Sequence, residues 1–238
     1  MFGHEYSAAR NSKRGGVAAM TKRRKLSNPL ALTVMVLLAE RSMHPYEIAQ
    51  TLRRRGKQHS VKINFGSLYT VVQNLEKHGY VEVAGVQREG NRPERTLYGI
   101  TEAGRAEMLD WLSDLIAVPA EEYPAFDTAL ALLPVLPPQE VETLLGDREH
   151  AQTVRAAALR GVLSQLGDAL PRVFVVETEY QLHMLEAQLA WIKGFRKELS
   201  DATISGIEEW QSFHETGEVP RDWRDLDAQE AARDPGRA

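Results

Sequence analysis

The stretch FGSLYTVVQNLEKHG, residues 65–79, decides how the first half of this 238-residue chain folds. Its apolar residues fall at the i, i+3, i+4 and i+7 positions of one helical stripe. They are Leu68, Val71, Val72 and Leu75. Between and beside them lie Ser67, Tyr69, Thr70, Gln73 and Asn74, uncharged side chains that form directional hydrogen bonds, and the cation Lys77. Such groups suit the base edges and phosphates of DNA, so the stretch predicts a helix that reads nucleic acid.

The residues that follow predict a β-hairpin. Gly79 suits the left-handed end of the helix. Residues 80–86 and 96–100 are rich in β-favouring side chains, and Gly90, Asn91 and Pro93 mark the turn between them. The hairpin tip carries three arginines, Arg88, Arg92 and Arg95. A polar-faced helix followed by such a hairpin predicts a winged helix, with the helix in the major groove and the wing on the backbone or in the minor groove.

Three motifs in this order resemble the PadR family of bacterial transcriptional regulators. They are HPYEIAQTL from residue 44, GSLYTVVQNLEKHGYVE from residue 66 and GNRPERTLYGITEAGRAEM from residue 90, within about residues 29–118. The resemblance implies a winged helix-turn-helix fold. It also implies a dimeric repressor that leaves DNA when a small, often aromatic or phenolic, effector binds.

The chain departs from the family pattern at two places. His44-Pro45 stands where the family often has His-Gly, and Leu97-Tyr98 follows Arg95-Thr96 in place of an Arg-Lys-Tyr-Tyr run. Tyr46 resembles the tyrosine of the family's first motif. It is expected either to pack beside the third helix or to place its hydroxyl on a phosphate.

Charge is distributed unevenly along the chain. Residues 1–66 hold 13 Lys or Arg against 3 acids, whereas residues 119–238 hold 11 against 22. A basic front and an acidic back favour the approach to a polyanion in one orientation. Residues 1–27 are interpreted as a flexible basic arm, either a solvated tail or a phosphate-contacting extension, and its candidate contacts are Lys22, Arg23 and Arg24.

Helix start signals place the rest of the winged helix in residues 28–118. Asn28-Pro29 begins a first helix that is apolar almost all round, and Pro45 begins a second with Arg53 to Lys57 at its exposed end. Asn64 is expected to cap the third helix and to touch phosphate. Thr101 caps a fourth helix, although Gly104 stands where a capping box would have Glu.

Residues 119–215 are predicted to form a C-terminal helical dimerisation domain, and residues 216–238 a disordered tail. The prolines of residues 119–138 mark the boundary, and two long helices follow at about 138–170 and 172–200. A heptad-like seam in the second helix is assigned to the dimer interface: Leu182, Leu185, Leu189 and Ile192. A second apolar stripe holds Tyr180, Met184, Trp191 and Phe195, and a monomeric bundle with this helix at its centre explains both stripes equally. Candidates for lining an effector pocket, or for core packing, are Trp111, Phe174, Tyr180 and Trp191.

The sequence favours a sequence-specific regulator of double-stranded DNA with a palindromic operator, located in the cytoplasm with the nucleoid. It contains no Cys, and its longest apolar run is too short to span a membrane. No catalytic constellation, cofactor motif or metal site is evident, and Glu179 with His183 favours a surface ion pair. The alternative is a winged-helix module that binds proteins and not DNA.

Overall fold

The computed structural model describes residues 24, 26–57, 65–88, 94–167 and 169–220, with the side chain of Phe65 excepted. The chain divides into two compact units, residues 1–122 and 123–238. The first unit is a winged helix, and the second is helical, so the predicted fold class is confirmed. The elements of the first unit are α1 (Pro29–Glu40), α2 (Pro45–Arg54), α3 (Phe65–Lys77), β1 (Val81–Gln87), β2 (Arg95–Ile100) and α4 (Glu102–Ala117).

The first two helices begin in the same way. Asn28 and His44 both have extended backbone, and in each case the next residue is a proline at the first helical position. Proline has no N–H to satisfy there. The side chain of Asn28 therefore accepts from Leu30 N–H at 3.0 Å, and His44 Nδ1 accepts from Tyr46 N–H at 3.1 Å.

Helix α1 is the centre of the first core. It packs against α3, β2 and α4, which explains why it is apolar almost all round. Its buried residues are Leu30, Ala31, Leu32, Val34, Met35, Leu37 and Leu38. The stripe predicted on α3 faces this core, and Leu68, Val72 and Leu75 are each at most 1% exposed. At about 1.5–3 kcal/mol for each fully buried large side chain, these contacts fix which face of α3 points outward.

The wing is a two-stranded antiparallel hairpin. Val81 pairs with Ile100 and Gln87 with Arg95, and an irregularity between Val83 and Gly85 shifts the register. Met43, just before α2, exchanges two backbone hydrogen bonds of 3.0 Å with Tyr98. The wing is thereby tied to the start of α2.

One junction joins the end of α3, the base of the wing and the start of α4. Gly79 ends α3 with φ +74°, as predicted for a left-handed cap. The Thr101 hydroxyl donates to the Gly79 carbonyl at 2.7 Å and accepts from Gly104 N–H at 3.0 Å, which confirms Thr101 as the cap of α4. A Cβ at Gly104 would lie 2.0 Å from the Tyr80 carbonyl oxygen. Close packing therefore excludes the Glu that a capping box would have at this position.

Within its described residues the second unit contains two long α-helices and two short ones: α5 (Ala125–Ala131), α6 (Pro138–Gly167), α7 (Val176–Ser200) and α8 (Ile207–Thr216). Helices α6 and α7 confirm the two predicted long helices, with α7 beginning later because a 3₁₀ turn at Arg172–Phe174 follows Pro171. Sequence reasoning missed α5 and α8. Helix α8 belongs to the core of this unit, because Trp210 is 5% exposed and its indole N–H donates to the Leu136 carbonyl at 2.8 Å.

The predicted dimer seam on α7 is used inside the chain, which corrects its assignment. Ile192 is fully buried in a cluster with residues of α6 and α8. Leu185 and Leu189 are buried with Ala156 of α6, and Leu182 packs against that cluster. The second stripe is the exposed one, since Tyr180, Met184 and Trp191 are 64%, 50% and 46% exposed.

Candidate nucleic-acid interface

The outward face of α3 carries the polar side chains that the sequence singled out. Thr70, Gln73 and Lys77 are exposed and lie opposite the buried stripe, as their spacing of three and four residues requires. Asn74 is exposed on one flank beside the half-buried Ser67, and Tyr69 is 44% exposed on the other flank. The structure therefore brings six predicted contacts together on one accessible surface.

A groove of about 740 Å³ adjoins this surface on the Tyr69 side. It is lined by α2, α3 and the loop-proximal end of the wing strands, and the predicted contacts Tyr46, Tyr69 and Arg95 all reach it. The Tyr46 side chain is 46% exposed, so it is not a core residue. The other lining residues are His44, a polar residue of the predicted DNA-binding half, and Glu47, Gln50 and Gln87, which the sequence had not indicated.

Charges in the groove act on one titratable ring. Burial lowers the pKa of His44, the positive charge of Arg95 lowers it further, and Glu47 opposes them. A hydrogen bond from Arg41 holds the pKa of the Glu47 carboxyl below its usual range. The groove therefore presents a neutral imidazole, an arginine, a paired carboxylate and tyrosine and glutamine side chains. The role of His44 as the cap of α2 was missed from the sequence, although His44-Pro45 repeats the pattern of Asn28-Pro29.

Two of the wing arginines are in the described part of the chain. Arg88 follows β1 and Arg95 begins β2, and both are exposed. Arg92, Asn64, Lys22 and Arg23 lie outside the described residues, so their predicted contacts stay predictions.

Arg24 is not available for a phosphate, which corrects its assignment to DNA. Its side chain is 6% exposed and bridges Glu107, Asp110 and Asp114 on one face of α4, with the guanidinium 5.7 Å from the centre of the Trp111 ring. Burial alone would lower the pKa of Arg24, but the hydrogen bonds and charges of Glu107 and Asp114 outweigh it. The last part of the predicted arm is thus fastened to α4.

Part of the basic run at the end of α2 is also engaged in contacts within the protein. Arg55 binds both carboxylate oxygens of Glu40 at 2.6 and 2.7 Å, and Arg54 donates to the Thr51 hydroxyl at 3.2 Å. Arg53 and Arg54 remain exposed. Arg55 therefore links the ends of α1 and α2, and its guanidinium is already paired with a carboxylate.

The four candidate effector residues are in different surroundings. Trp111 is 5% exposed in the core of the winged-helix unit, so core packing is its role. Phe174 and Tyr180 are 67% and 64% exposed on the second unit. Trp191 is half-exposed, stacks on Phe195 with ring centres 5.1 Å apart and meets the edge of Phe126.

The described residues offer neither a metal site nor a membrane-spanning helix. Their His, Asp and Glu side chains nowhere form a group of three that would hold a metal ion. Glu179 is bound at 2.9 Å by Arg172 of the preceding 3₁₀ turn, whereas the sequence had suggested His183 as its partner. Every described helix is too short or too polar to cross a bilayer.

Comparison with known proteins agrees with this architecture. The model of the transcriptional regulator PadR-like family matches residues 34–110, from α1 into α4. No curated protein sequence matches the chain.

Three solved structures share the fold across both units. Bacillus subtilis PadR in complex with operator DNA is 17% identical, with a TM-score of 0.61 over 72% of this chain and 99% of that one. The same protein in complex with p-coumaric acid is 16% identical, with a TM-score of 0.60 over 72% and 98%. The Vibrio cholerae virulence activator AphA is 15% identical, with a TM-score of 0.54 over 73% and 99%. Over residues 34–110 the winged-helix unit of this chain is thus similar to the transcriptional regulator PadR-like family, and the chain shares the fold of these solved structures.

Proposed function

We propose that this chain is a sequence-specific regulator that binds double-stranded DNA with α3 in the major groove. The observation that carries the proposal is the accessible polar face of α3, which lies opposite a stripe that is almost completely buried. Hydrogen bonds in fixed directions discriminate base edges, and the amide and hydroxyl side chains on this face of α3 can form them. B. subtilis PadR, which shares the fold, has been solved with operator DNA, and this supports the proposal.

The exposed residues divide into two roles. Gln73 has the side chain that pairs with adenine N6 and N7, and Thr70 beside it is short enough to contact a neighbouring base. Lys77, Arg88 and Arg95 bind phosphates, because a cation there releases counterions whichever base is present. Ser67, Tyr69, Asn74 and Tyr46 complete the surface, with Asn64, Arg92, Lys22 and Arg23 as further candidates. Arg24 has no part in it.

The second unit is proposed to hold two copies together. The exposed stripe Tyr180, Met184 and Trp191 on α7 is a large apolar surface, and surfaces of this kind mark protein interfaces. A two-fold dimer would present two α3 helices to successive major grooves, so its operator would be palindromic. Changing Met184 and Trp191 together to Ser should weaken the dimer at least about tenfold, as loss of a buried aromatic anchor does. The matched control is Val154→Ser, which changes an exposed residue of α6, and sedimentation velocity measures both.

Repression and effector release form the finer part of the proposal. B. subtilis PadR has been solved with p-coumaric acid, which supports a small aromatic effector for this chain too. Of the candidate residues, Phe174 is exposed and is not part of the stripe proposed for the dimer, so it is the one that such a ligand could reach. AphA is described as an activator, so we propose repression from the family's usual behaviour and not from the fold. Location in the cytoplasm, with the nucleoid, stays a prediction.

Selection of DNA from a random library by the purified full-length protein, near 0.15 M salt, tests the main proposal. Enrichment of an inverted repeat is the expected result and would support both DNA recognition and the dimer. Enrichment of a single half-site would support recognition without the dimer. The alternative of a protein-binding winged helix predicts no enriched sequence and weak binding that disappears as salt rises.

A further inference from the structure

The groove between α2, α3 and the wing contains a histidine that already uses one of its two ring nitrogens in a hydrogen bond. His44 lines this groove, and its Nδ1 is already engaged as the cap of α2, where it accepts Tyr46 N–H at 3.1 Å. A ring nitrogen accepts only when it carries no proton. The cap therefore places the proton of the neutral ring on Nε2, which makes Nε2–H a donor.

The surroundings of His44 keep the ring neutral and favour an anion nearby. Arg95 from β2 is the cation that faces it, and Glu47 of α2 is the anion. Glu47 is itself paired with Arg41, so its charge is offset. The α3 side contributes Tyr69, whose ring meets the imidazole edge-on with centres 6.2 Å apart. Tyr46 and Tyr69 add hydroxyls that suit the same ligand.

We propose that His44 binds a phosphodiester oxygen of DNA through its neutral Nε2–H, beside Arg95, in the groove where α2, α3 and the wing meet. The inference rests on the proposed function, since it assumes that α3 faces DNA. It adds a backbone contact that depends on a helix cap, because the cap fixes the tautomer that donates. A neutral donor releases no counterion, so this contact strengthens binding without steepening its salt dependence.

Two substitutions separate the cap from the contact. His44→Asn keeps a good helix-capping acceptor but is too short to reach the phosphate, whereas His44→Ala removes both functions. His78→Asn is the matched control, because His78 stacks on Tyr80 and does not line the groove. Dissociation constants are measured for the full-length variants on a selected duplex and on a random duplex from 0.05 to 0.3 M salt. Urea unfolding of each variant is measured in parallel.

His44→Asn should weaken binding to both duplexes equally, by about two- to tenfold, the value of one hydrogen bond. Its salt slope and its unfolding midpoint should match the wild type. His44→Ala should show the same loss of affinity with a lower unfolding midpoint, and His78→Asn should leave the affinity and its salt slope unchanged.

Three results with the His44→Asn variant would overturn the inference. If His44→Asn bound both duplexes as tightly as the wild type, the proposed phosphate contact would not exist. If its affinity fell only for the selected duplex, the contact would be to a base. A salt slope reduced by about one would mean that the ring binds as a cation. A wild-type protein that binds neither duplex would refute the proposed function, and this inference with it. A wild type that binds normally beside an unchanged His44→Asn refutes this inference alone.

Discussion

Replacing Gly104 by Ala would put a methyl group where α4 and the base of the wing leave no room for one. The added Cβ would lie 2.0 Å from the Tyr80 carbonyl oxygen and 2.9 Å from Ile100 Cγ1, although real Cβ atoms essentially never approach closer than 3.0 Å. Because the nearest atom belongs to the backbone, no side chain can rotate away. The start of α4 or the segment joining α3 to β1 must move by about 1 Å.

The cost follows from the contacts at this junction. Overpacking of this kind costs about 1–3 kcal/mol. Displacing α4 also weakens the Thr101 cap, worth about 1 kcal/mol, while Ala in place of Gly inside a helix returns about 1 kcal/mol. The free energy of unfolding of the winged-helix unit should therefore fall by about 1–3 kcal/mol.

Urea unfolding followed by circular dichroism and tryptophan fluorescence measures this change, since Trp111 lies in the affected core. Gly161→Ala is the control, because Gly161 is exposed within α6 and a Cβ there would meet nothing within 4 Å. That substitution should stabilise its unit by about 0.5–1 kcal/mol. If Gly104→Ala were as stable as the wild type while Gly161→Ala behaved as expected, the reasoning about the junction would be wrong.

Four further outcomes are expected. Gln73→Ala should lower the preference for the selected operator over random DNA by about 1–3 kcal/mol in competition binding. Arg95→Ala should weaken both DNAs alike and reduce the salt slope by about one in the same titrations. Arg24→Ala should lower the free energy of unfolding by about 1–3 kcal/mol, because the partly exposed carboxylates of Glu107, Asp110 and Asp114 lose the nearly buried guanidinium that bridges them, without changing the salt slope. Because the pKa of His44 is lowered in the folded protein, its stabilising contribution is complete above the ordinary value near 6.5 and is progressively lost as pH falls below it. Urea midpoints of the wild type should therefore fall between pH 7.5 and 5, and they should fall less in His44→Asn.

Local signals predicted the winged-helix unit well because the residues that begin and end its elements act on their near neighbours in the chain. Asn28-Pro29 and Thr101 begin helices through cap chemistry within three residues, and Gly79 ends α3 through a positive φ. The stripe on α3 follows from helical periodicity alone. These features depend on near neighbours in the chain, so the sequence is sufficient to predict them.

Periodicity does not say which partner a buried face has, and this explains the errors. The leucine seam of α7 could meet another subunit or its own chain, and in the structure α6 and α8 occupy it. Helix α5 is seven residues long, too short for a clear periodic pattern.

The sequence by itself determined the winged-helix fold, the helix starts and the outward face of α3, because caps and periodicity act over a few residues. Only the tertiary structure decided which charged side chains remain available to bind DNA. Arg24 stands in a basic run yet is bound by three acids of α4 some 83–90 positions along the chain. His44, at a helix start, meets Tyr69 and Arg95 in one groove. Charges and rings act on whatever lies near them in space, and residues far apart in the chain become neighbours only when it folds.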